Sequence, residues 1–349
     1  EILSGVTKAI VQPLLDWYDA GHRDLPWRTL PTPYRVWVSE IMLQQTRVEA
    51  VRGYFARWME ALPDIPALAA ADEAVYTKLW EGLGYYSRVR NLHRAAVLLC
   101  EQYGGELPAD CDKLRSLPGV GEYTAGAVAS IAFGLPVPAV DGNVLRVAAR
   151  LGSDFTPITD TKFKKQTRER FAALMPSDRP GDLNQALMEL GATVCVPNGA
   201  PHCGDCPIQH LCEGFHRGNA AVLPLRAAKK ARRIENRTVL LVRCGELVGL
   251  RQRPKTGLLA GLWELPSLDG HLTPDELRAA LTEMGWSVRK LLSLRPAKHI
   301  FTHVEWHMNG VYVELDEPAP ALTFVTPAAL RADYALPSAF RSFVSVLED

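Results

Sequence analysis

The stretch LPGVGEYTAGAVA, Leu117 to Ala129, decides the fold. Pro118 with Gly119 and Gly121 forces a tight turn between two helical stretches. The backbone N–H groups that open the second helix are then free to hold an anion, which the helix dipole favours. Glycine has no side chain, so a nucleic-acid phosphate can come close to the backbone there. Gly119 and Gly121 are therefore candidate DNA contacts, although LPGVG alone also fits a plain turn between helices.

Twenty residues beyond Gly121 stands Asp141, in PAVDGNVLRVAAR. A carboxylate after Val137, Ala139 and Val140 and before another apolar helical run costs free energy unless it is paired or functional. Read alone it is also a good helix N-cap; its spacing from the hairpin favours a functional role. Glu40, in VWVSEIMLQQTRVEAV, is the second candidate. It sits between Val38 and Ile41 near an expected helix start, where burial would raise its pKa and keep it protonated near neutrality. A solvated first-turn glutamate is the alternative.

Four of the seven cysteines, Cys195, Cys203, Cys206 and Cys212, follow the spacing C-x7-C-x2-C-x5-C. Zinc ribbons generally show two short pairs, and this run has one. The uneven series suits a [4Fe–4S] cluster held by four thiolates better than zinc. Cys100, Cys111 and Cys244 read as small buried hydrophobes.

Outward from these motifs, the chain up to residue 218 reads as helical. Val48, Val51, Phe55, Trp58 and Leu62 share one helical face, as do Leu183, Leu187, Leu190 and Val194, with Asp182 the expected N-cap and Gln185 at the third position. From 219 to 237 charge replaces periodicity, and Arg226, Lys229, Lys230, Arg232, Arg233 and Arg237 face Glu235 alone, which reads as a basic linker. Beyond it lie short strands at 238–242, 246–250 and 310–315. They are interrupted by a helix that Thr273 caps, Pro274 opens, Glu276 completes as a capping box and Gly285 ends. A multidomain protein is expected: an all-α domain at 1–218, a linker at 219–237 and an α/β domain at 238–349.

The chain has 349 residues with 39 basic and 39 acidic side chains, and a net charge of zero disfavours a nucleic-acid partner at first sight. The sum hides a partition. Residues 1–218 hold 22 basic and 25 acidic side chains, 219–298 hold 15 and 7, and 299–349 hold 2 and 7. The uncharged run Tyr123 to Val140 carries two prolines and reads as a buried helix and turn rather than a membrane span. EILSGVTKAI has no secretory apolar core, so a cytoplasmic monomer without membrane contact is the expectation.

Together RDLPWR (23–28), SEIMLQQTRVE (39–49), EGLGYYSRVRNLH (81–93), LPGVGEYTAGA (117–127), AVDGNV (139–144) and the cysteine run resemble the helix-hairpin-helix DNA glycosylase superfamily that includes endonuclease III. Within it they resemble the MutY-type adenine DNA glycosylases of base excision repair, and nearly the whole chain is covered. The resemblance implies double-stranded DNA carrying adenine opposite 8-oxoguanine as partner, and a [4Fe–4S] cluster on the four cysteines. It implies Glu40 as general acid, Asp141 as the carboxylate facing the sugar, and Tyr123 and Asn143 as supports by hydrogen bonds. Arg23, Leu25, Trp27, Arg28, Val48 and Gln185 match the family's adenine pocket, and Gln45 and Tyr85 match residues that wedge beside the opposite base. Bifunctional members carry a lysine nucleophile where this chain has Tyr123, so base removal without strand cleavage is implied. The first cysteine gap, normally six residues, is seven here.

The second domain, with LVGLRQRPKTGLLAGLWELPS, looks like a Nudix domain. The metal-binding pattern REUxEExGU of Nudix hydrolases appears as RAALTEMGW. Arg278 and Glu283 remain, but Ala279 and Thr282 replace two acidic positions and remove most of a divalent-metal site. A reader of 8-oxoguanine without hydrolase activity is implied. The family's Phe-Ser-His loop appears as Phe301, Thr302 and His303, with His299 nearby; threonine keeps a hydroxyl that can donate and accept.

Overall fold

A computed structural model describes residues 6–225 and 231–347. The chain forms two compact units, one from Glu1–Ala70 with Arg90–Ala228 and the other from Ala71–Val89 with Lys229–Asp349.

The regular elements among the described residues of the first unit are all helices. At the hairpin, Gly119 has φ +75°, where a side chain would be strained, and a Cβ there would lie 2.7 Å from Asn91 Cβ. Gly121 is the N-cap of the helix Glu122–Phe133 and has open space around it, so nothing obstructs an approaching ligand. The helix ends at Gly134 with φ +66°. There the Gly134 and Leu135 N–H groups bond back to the Ser130 and Ala129 carbonyls, satisfying the orphan acceptors of the last turn. Asp141 then caps the helix Gly142–Leu151.

After the helix Thr161–Ala172 comes Pro180–Thr193, whose N-cap is Arg179 rather than Asp182. Pro180 takes the first position because its missing N–H would have had no partner there anyway. Asp182 lies inside the first turn and pairs with Arg179 at 2.7 Å. Leu183, Leu187 and Leu190 pack with Val144, Val147 and Leu151, and with Leu14 and Tyr18 of the helix Val11–Gly21. Truncating one such side chain, as in Leu187→Ala, costs about 2–5 kcal/mol. Gly191 lets this helix press on the Asp141-capped one, since a Cβ would fall 2.7 Å from Asn143 Cβ.

The second unit is a mixed eight-stranded sheet. Its strands are β1 (Arg233–Cys244), β2 (Leu247–Gln252), β3 (Trp263–Glu264), β4 (Ser267–Asp269), β5 (Val288–Ser293), β6 (Ala297–Ile300), β7 (Val304–Leu315) and β8 (Thr323–Val325). The order is β3-β2-β1-β7-β5, with β4 on β1, β6 on β7 and β8 on β2. Among the described residues only β1 and β7 pair in parallel, with Val239 opposite Gly310. The continuous apolar run 238–242 follows from burial on both faces. Val239 and Leu241 join Trp306, Phe340 and Phe343 on one side, while Leu240 and Val242 join Leu277 and Leu281 on the other. Those leucines belong to the helix Pro274–Glu283, which carries the expected Thr273–Glu276 capping box.

Residues 233–237, expected to be linker, are strand. Arg233 pairs in register with Val304 and Arg237 with Met308. Charge conceals the strand, because Glu235 bonds both arginines and the Trp306 indole from one exposed stretch. Arg226, Lys229 and Lys230 lie outside the described residues. No helix among the described residues is long and apolar enough to cross a membrane.

Candidate active site

The hairpin, the helix Pro33–Leu43 and the helices Gly142–Leu151 and Pro180–Thr193 enclose a cavity of about 760 Å³ in the first unit. Its walls include Arg23, Leu25, Trp27, Arg28, Glu40, Gln45, Val48, Gly119, Gly121, Tyr123, Asp141, Asn143 and Gln185. Residues scattered over more than 160 positions of sequence thus meet on one surface.

Glu40 is 6% exposed and sits near the C-terminal end of the helix Pro33–Leu43, not at a helix start. The solvated first-turn alternative is thereby excluded: the helix begins seven residues earlier, at Pro33, with Thr32 as its cap. Burial pushes Glu40 up to about 7; the Tyr123 hydroxyl opposes this, the Asp141 charge adds to it, and the Arg28 guanidinium opposes it. Tyr123 donates its O–H to Glu40 Oε2 at 2.5 Å, which leaves Oε1 to carry a proton. Burial and the two carboxylates hold the Tyr123 phenol well above its usual range, so it remains a donor.

Asp141 is held differently. Its two oxygens accept from the Val144 N–H at 2.8 Å and the Asn143 amide at 2.7 Å. Both bonds favour the ionised form of the carboxyl. Burial raises its pKa, and these donors with Arg146 work against the rise. The two carboxyl groups of the site thus differ: Glu40 accepts from one hydroxyl, and Asp141 accepts from a backbone N–H and a side-chain amide. Tyr123 and Asn143, expected to support a sugar, support the two carboxyl groups here.

Beneath the pocket lies a residue that the sequence reading missed. Glu189, with its side chain 2% exposed, binds Arg23 Nε at 2.7 Å and Arg28 Nη2 at 2.9 Å. Burial would raise its pKa, but the two arginines overcome that and hold it low. Arg28 also lies 5.5 Å from the Tyr18 ring centroid. Glu189 falls four residues after Gln185, on the same helical face, and that spacing was the available signal.

A chain of bonds leads away from Asp141. Asn143 Oδ1 accepts from Arg146 Nη2 at 2.8 Å, and Arg146 Nε donates to the Cys195 carbonyl at 2.8 Å. Arg150, on the same helix, reaches Cys195 Sγ at 3.3 Å. Cys195, Cys203, Cys206 and Cys212 all line one small pocket with Val194, Pro201, Phe215 and Ala220. Four sulfurs on an apolar pocket with a guanidinium against one of them fit an anionic thiolate-bound cluster. Among the described residues no group of His, Cys, Asp or Glu is set to hold a single metal ion.

Tyr85 does not line the cavity; it belongs to the second unit, where its hydroxyl lies 3.1 Å from Thr302 Oγ1. Phe301 packs edge-on against His299 at 4.6 Å and Trp306 at 4.8 Å, and Thr302 and His303 are exposed. Gln45 and Tyr85 both have left-handed backbones, with φ 56° and 47°. Such conformations cost on the order of 1–3 kcal/mol in a non-glycine residue and cluster at functional sites.

Residues 38–175 match the HhH-GPD superfamily of base excision DNA repair proteins, and residues 238–346 match the NUDIX domain. The chain is 40% identical over 370 residues to the adenine DNA glycosylase of Mus musculus, covering 89% of this chain and 71% of the relative. Its helical part resembles a thermostable thymine-DNA glycosylase, with TM-score 0.54 and 27% identity over 60% of this chain and 96% of that one. It also resembles endonuclease III in a non-covalent DNA complex, with TM-score 0.51 and 26% identity over 61% of this chain and 98% of the other.

Proposed function

The chain belongs to the adenine DNA glycosylases, hydrolases of base excision repair, and from that premise we propose that it removes adenine paired with 8-oxoguanine from duplex DNA, leaving the backbone intact. The observation that carries this reading is the pairing of two unequal carboxyl groups in one cavity, with a tyrosine where a nucleophilic amine would otherwise stand.

Chemistry on a stacked base requires that it be flipped out of the duplex. Trp27, Leu25 and Val48 supply apolar walls for an adenine, while Arg23, Arg28 and Gln185 supply polar edges. Glu40, with its pKa near 7 and Oε1 free, donates its proton to the adenine ring nitrogen N7 as the C1′–N9 bond breaks. The bonding pair leaves with the neutral base. Asp141, whose ionised form the Val144 and Asn143 donors favour, faces the developing oxocarbenium sugar. Water then adds its oxygen to C1′ and returns a proton to the site. The assignment parallels the two carboxylates of glycosidases.

The hairpin amides near Gly119 and Gly121 hold phosphates. In the second unit, the Thr302 hydroxyl with Tyr85, Phe301, His303 and His299 reads the oxidised base. The exposed face of the helix Pro274–Glu283 carries Ala279 and Thr282 where a Nudix hydrolase needs carboxylates, which supports reading without hydrolysis. Cys195, Cys203, Cys206 and Cys212 would hold a [4Fe–4S] cluster, which supplies a rigid cross-link for the 195–212 loop and a redox-capable group. Borohydride trapping tests the monofunctional step. No covalent protein–DNA adduct should form on an A:8-oxoguanine duplex, and abundant trapped adduct would place an amine nucleophile in the site.

A further inference from the structure

The segment 71–89 precedes the hairpin in sequence but packs as part of the second unit. It is fixed there at two places. At one, Glu81 Oε1 accepts from the Leu336 N–H at 2.7 Å, and Lys78 Nζ donates to the Tyr334 carbonyl at 3.0 Å. Lys78 and Glu81 are themselves paired at 2.6 Å. At the other, the Tyr85 hydroxyl meets Thr302.

Between these points the turn is stiff. The buried Trp80 indole donates to the Gly84 carbonyl at 3.0 Å. Arg88 donates to the Leu83 and Gly84 carbonyls at 3.0 and 3.1 Å, and its guanidinium lies 5.2 Å from the Trp80 ring centroid and 5.6 Å from that of Tyr85. A displacement at Glu81 is therefore carried to Tyr85 rather than absorbed. The 334–336 strap is equally anchored. Tyr334 packs edge-on against Trp263 at 5.0 Å, and Leu336 lies against the core that holds Trp306 and Phe301.

We propose that Glu81, assisted by Lys78, is a positioning residue for discrimination of the base opposite the adenine: by binding the Leu336 N–H it fixes the 80–85 turn and holds the Tyr85 phenol on the Thr302 hydroxyl. This rests on the reading of Thr302 and Tyr85 as the 8-oxoguanine contact. The geometry requires it in one further respect. Tyr85 is 47% exposed and holds a strained φ, so its own burial does little to keep it in place.

The test is single-turnover adenine excision by the full-length protein, normalised to active sites, from duplexes with adenine opposite 8-oxoguanine and opposite guanine. Glu81→Ala should lower the ratio of the two rates about tenfold, the loss expected for one carboxylate–amide bond. Glu81→Gln keeps a carbonyl oxygen for the Leu336 N–H and should retain the ratio within about twofold. Misfolding alone reduces the active fraction on both duplexes alike and leaves the ratio unmoved. Should Glu81→Ala yield no folded protein, Lys78→Met, which removes the Tyr334 bond, should lower the ratio by a smaller factor. Thr302→Ala separates the two ideas. If it abolishes discrimination while Glu81→Ala and Lys78→Met leave the ratio intact, the positioning role is overturned. If Thr302→Ala also leaves the ratio intact, the 8-oxoguanine reading falls with it.

Discussion

Glu40 shows how far a single residue can be read and where reading stops. Its apolar neighbours Val38 and Ile41 announce a buried acid, and burial raises its pKa to about 7. Its place near the helix end was not legible, because VWVSEIML continues a pattern whose start depends on Thr32 and Pro33 upstream. A carboxyl whose folded pKa exceeds its unfolded value favours the native state below the unfolded value, and that advantage is lost as pH rises toward the folded value. For Glu40 this window runs from about 4.5 to about 7, and the full cost above it is about 3 kcal/mol as an upper bound. Glu40→Gln should therefore melt higher than the parent at pH 8, with the difference vanishing near pH 4; an equal difference at both values would contradict a buried, neutral Glu40. Excision by the parent should fall tenfold per pH unit well above 7, and a flat profile up to pH 9 would remove Glu40 as the acid.

At the scale of elements, the hairpin was legible because glycine and proline dictate backbone geometry locally. Only Gly119 carries the conformational demand, with φ +75°, whereas Gly121 has an ordinary backbone and matters through the open space around it. Gly119→Ala should cost about 1–2 kcal/mol from the left-handed backbone alone, more from the clash with Asn91, and should weaken DNA binding. Gly121→Ala should leave stability nearly unchanged yet still weaken binding, as measured by denaturant melts and by titration with duplex. If Gly121→Ala binds normally, no phosphate approaches that amide. Asp141 was legible as a cap and as a candidate catalyst; it caps the helix Gly142–Leu151 and lines the cavity. Glu189 was not read: its spacing from Gln185 marks a shared helical face, but not that Arg23 and Arg28, more than 160 residues earlier, fold back onto it.

For the whole molecule, composition conveyed the two-domain plan but blurred the join. Charge at 233–237 hid the start of β1, whose partner β7 lies some 70 residues away, and strand pairing over that separation leaves no local trace. The assignment of 71–89 to the second unit was invisible for the same reason: its anchors are Tyr334, Leu336 and Thr302. The zero net charge also changes meaning. Arg233 and Arg237 share Glu235 as ion-pair partner, so the salt test is made on the other four cations of the 219–237 run, Arg226, Lys229, Lys230 and Arg232. Neutralising those four should reduce the slope of log K against log salt by about 0.9 for each phosphate that no longer meets a cation, and an unchanged slope would make the stretch a connector only.

We propose that this pocket releases adenine by hydrolysis and does nothing further to the strand. Its most direct test is one incubation of the protein with a duplex carrying adenine opposite 8-oxoguanine, beside a second duplex carrying an oxidised pyrimidine. Free adenine is expected from the first duplex, strand breakage there only after alkali, no release from the second, and no release from either by Glu40→Gln. Spontaneous nicking of the oxidised-pyrimidine duplex with adenine left in place would contradict it.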